Sequence, residues 1–278
     1  MVAVPESSPA SSAASSASHG AAGPLSEISL RGRKVLVTGA SSGIGEAVAR
    51  AAALAGARVA VLARRVDRLT ALAEEIDGVA VAADVTDHEA VAEAVAAAAD
   101  RLDGLDALVN SAGITRPGLL ADTDPAAWRM LFDVNVVGLL AVTRAALPHL
   151  LAASAPSVVN VSSMSGRRVA GPASGAYAAT KFAVHALGEA LRMELQPRGL
   201  RVTTVAPGFV RTGIADGEPE SPFREQLAAR LAEEGLPPTE IARAVLHVLA
   251  LPAEVTVVEY AVMPTAQRDH GFLEPPSS

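Results

Sequence analysis

The chain has 278 residues, a net charge of −7, half of its residues apolar and no cysteine. That length suits one large core rather than two, the acidic balance disfavours a nucleic-acid track, and the missing thiols exclude disulfides and thiolate metal sites. No run of eighteen unbroken apolar residues occurs and the six histidines lack metal-ligand spacing, so a cytoplasmic protein without membrane span, nucleic acid or metal is expected.

Residues 1–28 are rich in Ser and Ala, without the basic start or apolar run of a secretory signal, and predict a disordered tail. The folded unit is expected over 29–266, with a second short tail over 267–278. Lys34-Val-Leu-Val-Thr38 has the β-branched character of a buried parallel strand. It runs into Gly39-Ala40-Ser41-Ser42-Gly43-Ile44-Gly45 and an alanine-rich helix from Glu46 to Ala55. A strand, a glycine turn and a helix in that order bring backbone amides and a helix N-terminus against a pyrophosphate. The glycines fall as G-x-x-x-G-x-G, not as G-x-G-x-x-G.

Arg58–Ala63 reads as the second strand, and its tip carries Arg64 and Arg65. An acidic residue there would accept the ribose 2′-hydroxyl of NAD, whereas a cation suits the 2′-phosphate of NADP. NADP(H) is therefore the expected cofactor, with Arg64 the principal cation; otherwise the two arginines simply begin a solvated loop. Val66–Ile76 is an amphipathic helix, and Gly78–Ala83 a strand ending at Asp84 and Val85. Asp84 either meets the adenine amine or caps the helix starting near Thr86. Leu105–Val109 delivers Asn110, Ser111, Ala112 and Gly113 to the same edge.

Asp124-Pro125 opens a long helix running to about Ala153. Within it Asn135 and Gly138 are poor helix residues, which predicts a local distortion. Ser157–Ser162 is a fifth strand leading to Ser163. Next comes Tyr177-Ala-Ala-Thr-Lys181, a phenol and an ammonium one helical turn apart. Tyr occurs only at 177 and 260 and Lys only at 34 and 181, so the pairing stands out from the composition. A cation beside a phenol lowers its pKa from ~10 and makes it an acid/base for neutral pH.

The helix over 177–196 carries two apolar stripes. Val184, Leu187, Leu191 and Leu195 with Tyr177 are expected to face the sheet, and Phe182, Ala186 and Met193 a second subunit, Gly188 permitting close approach there. Arg201–Val205 is the sixth strand, followed by Pro207–Thr212. Residues 213–234 are polar and interrupted by prolines, which suits a mobile flap. A helix from about Thr239 to Leu251 and a strand over Thr256–Val262 complete seven strands alternating with helices. The expected fold is α/β, a Rossmann-type doubly wound parallel sheet in a single domain.

With Thr38-Gly39-Ala-Ser-Ser-Gly43-Ile-Gly45, Asn110-Ser-Ala-Gly113, Asn135, Ser163, Tyr177, Lys181 and Pro207-Gly208 in register, the chain resembles the classical short-chain dehydrogenase/reductase family over about 30–265. The resemblance implies that Tyr177 is the catalytic acid/base, with Lys181 lowering its pKa and holding the nicotinamide ribose. It implies that Ser163 bonds the substrate oxygen and that Asn135 holds a water relaying protons through Lys181. Gly39, Ser41, Ser42, Gly43, Ile44 and Gly45 would surround the pyrophosphate, and Asp84 and Val85 the adenine. Asn110, Ala112 and Gly113 would line the cofactor, and Pro207, Gly208, Val210 and Thr212 the carboxamide.

Three departures stand out: Ser111 replaces the usual Asn, the interval from Ser163 to Tyr177 is one residue longer than usual, and the ending differs. The longer interval leaves Ser162 and Ser165 as alternatives to Ser163. The ending, Val258 to Gln267, is similar to that of a subgroup acting on hydroxy acids, hydroxy amino acids and clavulanate-type aldehydes. The implied activity is hydride transfer between NADP(H) and a small carbonyl or alcohol, in a homodimer or homotetramer built on helix 177–196. An inactive NADP-sensing protein, an NAD(H)-linked alcohol dehydrogenase and a sugar epimerase are the alternatives. The substrate pocket is expected among 114–119, 164–170 and 209–234, where Arg116, Arg167 and Arg168 would favour an anion.

Overall fold

The computed structural model describes residues 28–216 and 220–267. The expected tails therefore lie outside the described residues, except that Ile28 packs against the core and Gln267 accepts the Phe209 N–H. Seven strands form one parallel sheet: β1 (Lys34–Thr38), β2 (Arg58–Ala63), β3 (Val79–Ala82), β4 (Ala107–Asn110), β5 (Ser157–Val161), β6 (Arg201–Pro207) and β7 (Glu259–Val262), in the order β3-β2-β1-β4-β5-β6-β7. Eight α-helices accompany them among the described residues: α1 (Gly43–Leu54), α2 (Val66–Glu75), α3 (His88–Leu102), α4 (Pro125–Phe132), α5 (Leu139–Leu150), α6 (Gly175–Leu195), α7 (Pro222–Glu234) and α8 (Pro238–Ala250).

Side chains alternate across the pleat, so Val35 and Val37 pack under α1, α2 and α8 while Leu36 packs under α3 and α5. The sheet is thus buried on both faces, as the apolar strand runs predicted. Strand order reverses between β1 and β4, and the crevice outside their C-terminal ends is where such sheets take ligands.

The long helix is interrupted where Asn135 and Gly138 stand, by a π turn over Asp133–Gly138. Gly138 lies so close to β3's continuation that a Cβ there would sit 2.8 Å from Val85 Cγ2. Although no apolar run is unbroken, an eighteen-residue window within Pro125–Leu150 reaches a mean hydropathy of 1.6, enough by length and composition to cross a membrane. Its apolar residues have another use here: Leu131, Val142, Ala146 and Leu150 are buried in the protein, and Arg129, Asp133 and Arg144 interrupt the remainder.

Two further features were not expected. Residues 222–234 of the expected flap form a regular helix, α7, capped where Arg224 N–H donates to Ser221 Oγ at 3.1 Å. Leu227 and Leu231 of α7 are buried with Ala173, Phe209 and Ala215 in a core of their own, beside the main ones. On α6, Phe182 and Met193 are exposed as expected, but Gly188 faces the sheet. A Cβ at 188 would lie 2.8 Å from Thr204 Oγ1, so this glycine lets the helix approach β6 and not another subunit.

Candidate functional site

The sheet's C-terminal edge opens into a cleft of about 980 Å³. At one end lies the turn after β1. Gly39 has φ +66°, and a Cβ on it would come within 2.8 Å of Ala112. Only glycine satisfies both the left-handed backbone and that approach. Thr38 Oγ1 accepts the N–H groups of Ser111 and Ala112 at 3.0 and 3.1 Å, which ties the ends of β1 and β4 together. The Ser42 side chain makes no capping bond to α1. Its first-turn amides are thus left facing a cleft lined by Ser41, Ser42 and Gly43, a cradle suited to an anion.

Arg65 and not Arg64 reaches this cradle. Its guanidinium donates to Ser41 Oγ at 3.0 and 2.9 Å and to Ser42 Oγ at 2.7 Å. Arg64 instead lies 3.4 Å from Asp84. Burial alone would raise the Asp84 carboxyl, but the Thr86 amide and hydroxyl and the Arg64 cation hold it below its ordinary value. The cap of α3 is Asp87, which accepts from Ala90 N–H at 3.1 Å, so Asp84 shapes the turn before it. Arg68, which sequence reasoning passed over, also lines this end, one turn of α2 beyond Arg65.

Ser163, Tyr177 and Lys181 border the middle of the cleft. Ser163 accepts from Ser165 N–H at 3.1 Å and is hydrogen-bonded to Tyr177. Ser162 points the other way, donating to Lys181 O at 3.3 Å from a buried position. Lys181 is buried, lies 5.7 Å from the Tyr177 ring centroid, and donates from Nζ to Val161 O at 3.1 Å. Burial brings its ammonium down to about 8.

The same burial pushes the Tyr177 phenol up to about 12, opposed by the Ser163 hydrogen bond. The expectation that Lys181 lowers this phenol is therefore corrected for the free protein. The ammonium is turned onto a strand carbonyl, and desolvation dominates both groups.

Two of the expected site residues are not brought into the cleft. Asn110 is buried, donating to Thr143 Oγ1 at 2.9 Å and to Asn160 Oδ1 at 3.0 Å. Asn135 is buried in the π turn, where Nδ2 donates to Ile114 O at 2.9 Å and Thr180 Oγ1 at 3.1 Å, and Oδ1 accepts from Ile114 N–H at 2.8 Å. Both of its N–H groups are used, so it clamps the end of β4 to α6. Gly113 sits between this amide and Lys181, its built Cβ 3.3 Å from Asn135 Oδ1 and 3.6 Å from Lys181 Nζ. The remaining expected residues, Gly39, Ser41 to Gly45, Asp84, Val85, Ala112, Gly113, Pro207, Gly208, Val210 and Thr212, all border the cleft.

The family model described as short chain dehydrogenase matches residues 33–222, from β1 to the start of α7. The chain belongs to that family. An uncharacterized oxidoreductase of Staphylococcus saprophyticus is 35% identical over 85% of this chain and 99% of its own length. Glycine betaine reductase of Emericella nidulans is 38% identical over 87% of this chain, which spans only 19% of that larger protein. Among solved structures, the closed form of serine dehydrogenase complexed with NADP+ has a TM-score of 0.78 at 29% identity, covering 85% of this dehydrogenase and 97% of that chain.

The dehydrogenase's cleft is also lined by Phe209, Ile214, Leu227 and Leu231, which belong to one apolar cluster, and by the polar Arg116, Ser165 and Arg168. Gln267 reaches in from beyond β7. The Val258–Gln267 ending singled this residue out, but not its contact with residue 209, which spans 58 positions of sequence.

Proposed function

We propose that this dehydrogenase moves hydride reversibly between NADP(H) and a small carbonyl or alcohol, with Tyr177 exchanging the substrate's proton. One observation carries the reading: Ser163, Tyr177 and Lys181 line the same cleft as the glycine turn and Arg65. The residues present fit a phosphorylated dinucleotide. The turn leaves room for backbone approach, α1 offers open amides, and Arg65 lies across two serines where a 2′-phosphate would replace their hydroxyls as its partner. Serine dehydrogenase binding NADP+ supports the same choice.

When bound, the dinucleotide supplies or accepts the hydride. In reduction Tyr177, which keeps its proton to about 12 in the free protein, donates it to the substrate oxygen as negative charge develops there. Ser163 stabilises that oxygen with a second hydrogen bond. Lys181 then faces the phenolate left behind, and leaving Val161 O for the tyrosine would bring the ammonium's full charge to bear. Oxidation runs the same groups in reverse. Asn135 holds Ile114 and Thr180 and so keeps the floor under Tyr177 and Lys181 in place.

A second copy is the proposed cover for the exposed apolar face made by Phe182 and Met193 of α6 with Phe132, Val137 and Leu140 of the neighbouring long helix. Sedimentation should give a dimer or tetramer, and Phe182→Glu with Met193→Glu a smaller species; a wild-type monomer contradicts this. The enzymatic reading is tested by following NADPH and NADH absorbance against keto acids, aldehydes and ketones. NADPH consumption with at least one class is expected, at roughly ten times the NADH efficiency or more. NADPH binding without turnover across the panel would instead favour a sensing role.

A further inference from the structure

The turn that carries Ser163 leans on α6. Gly166 N–H donates to Ser163 O at 2.9 Å and Ser165 N–H to Ser163 Oγ at 3.1 Å, so one short turn uses both oxygens of this serine. Against it lies His185, one helical turn beyond Lys181. A Cβ on Gly166 would come within 2.6 Å of His185 Cδ2 and 2.7 Å of both its Nε2 and Lys181 O, so the backbone of the turn rests directly on the imidazole. The same ring is hydrogen-bonded to the Ser163 backbone. Beyond the glycine, Arg167 Nε pairs with Glu259 Oε1 of β7 at 3.1 Å and ties down the end of the turn.

That bond favours the protonated ring, so the ring donates and the Ser163 carbonyl accepts. Nε2 is buried and has no partner among the described residues, so the donor is Nδ1. A second proton is opposed by burial first, and also by the Arg167 and Lys181 cations, while Glu259 favours it. The imidazole is therefore neutral, with the proton on Nδ1 and a bare lone pair on Nε2. Ser163 O takes two donors, one from its own turn and one from α6.

We propose that His185 is a positioning residue for the proton transfer: by donating from Nδ1 to Ser163 O and backing Gly166, it keeps the Ser163 hydroxyl directed at Tyr177 and at the substrate oxygen. This rests on the oxidoreductase reading given above. Ser163 is bonded to Tyr177, and a hydroxyl held there stabilises charge that appears only in the transition state. Loss of the anchor should therefore lower kcat and leave cofactor affinity alone.

Two substitutions separate the donor from the bulk. His185→Phe keeps a flat ring against Gly166 and has no donor; His185→Asn loses most of the ring and keeps an amide N–H near the Nδ1 position. Each is measured alone and combined with Ser163→Ala, with NADPH and the best carbonyl substrate of the panel. H185F should lower kcat roughly ten- to thirtyfold, with the NADPH dissociation constant within about twofold of wild type. H185N should recover most of that loss. In the Ser163→Ala background H185F should cost less than about twofold, because the group it positions is gone. A loss that persists in that background, or an H185N no better than H185F, overturns the assignment. Nitrogen-15 NMR of the histidine-labelled full chain, with H185N identifying the signal, should show Nδ1 protonated and Nε2 bare at neutral pH. A proton on Nε2 instead overturns it as well. Wild type that turns over no carbonyl would strike the oxidoreductase reading, and the NMR signal would still decide the contact.

Discussion

Replacing Lys181 with methionine keeps the length of the side chain and removes its charge, and the structure gives the size of the effect. Burial lowers this ammonium from 10.5 to about 8. At about 1.4 kcal/mol per tenfold in proton affinity, keeping the charge inside the folded protein costs roughly 3 kcal/mol. Methionine would strand Val161 O, whose 3.1 Å bond from Nζ is lost, offsetting about 1 kcal/mol of the gain.

The folded pKa lies below the unfolded one, so the penalty is fully present below about pH 8 and fades as pH rises towards 10.5. Lys181→Met should therefore make the cofactor-free chain more stable by about 1–3 kcal/mol at neutral pH, with the gap closing above about pH 8, while turnover disappears. Urea unfolding across that pH range measures it. A variant less stable than wild type at neutral pH, or a gap that does not close, refutes the reasoning.

Arg65→Ala should raise the NADPH dissociation constant roughly ten- to a hundredfold and leave NADH nearly unchanged, with Arg64→Ala weaker because that cation serves Asp84; equal losses for both nucleotides would contradict the placement. Gly188→Ala should destabilise by about 1–3 kcal/mol without changing the oligomeric state, since the added carbon meets Thr204; a changed assembly with stability intact would move this glycine to the outer face. His185 is held below the ordinary imidazole value, first by burial and also by Arg167 and Lys181, while Glu259 and a bond to the Ser163 backbone oppose this. Its neutral form is favoured on folding, so the stability present above the ordinary imidazole range is lost as pH falls through it. His185→Gln should accordingly lose less melting temperature than wild type between about pH 7.5 and about pH 5.5; equal losses would remove His185 from the acid response.

The parts of the molecule legible in the sequence are those encoded locally. The run from Lys34 to Gly45 carries strand, turn and helix within a dozen residues, and β1, the glycine turn and α1 form there. Asn135 and Gly138 announced a helix defect because both are poor in helix interiors, and the π turn occupies that place. Helix α7 carried a readable signal in Ser221-Pro222 and in Phe223, Leu227 and Leu231 at helical spacing, but its charged residues and flanking prolines masked it. Gly188 shares a helical face with Val184 and Lys181, and its exposure could not be judged until β6 was placed beside it.

Long-range contacts were the hidden part. Asn110 pairs with Asn160 because β4 and β5 are neighbours in register, which removes it from the cofactor edge. Tyr177 and Lys181 are correctly one turn apart, yet the spacing carried no information on burial or on the Val161 carbonyl that takes the ammonium. Arg64 and Arg65 are adjacent in sequence, and only the positions of Ser41 and Asp84 decide which of them reaches the cradle.

The central claim is that the Tyr177 hydroxyl exchanges the substrate's proton, and deleting that single oxygen tests it. Tyr177→Phe should bind NADPH as wild type does while its turnover of the best carbonyl substrate falls by at least about a hundredfold. A phenylalanine variant that turns over at near wild-type rate would mean that another group moves the proton.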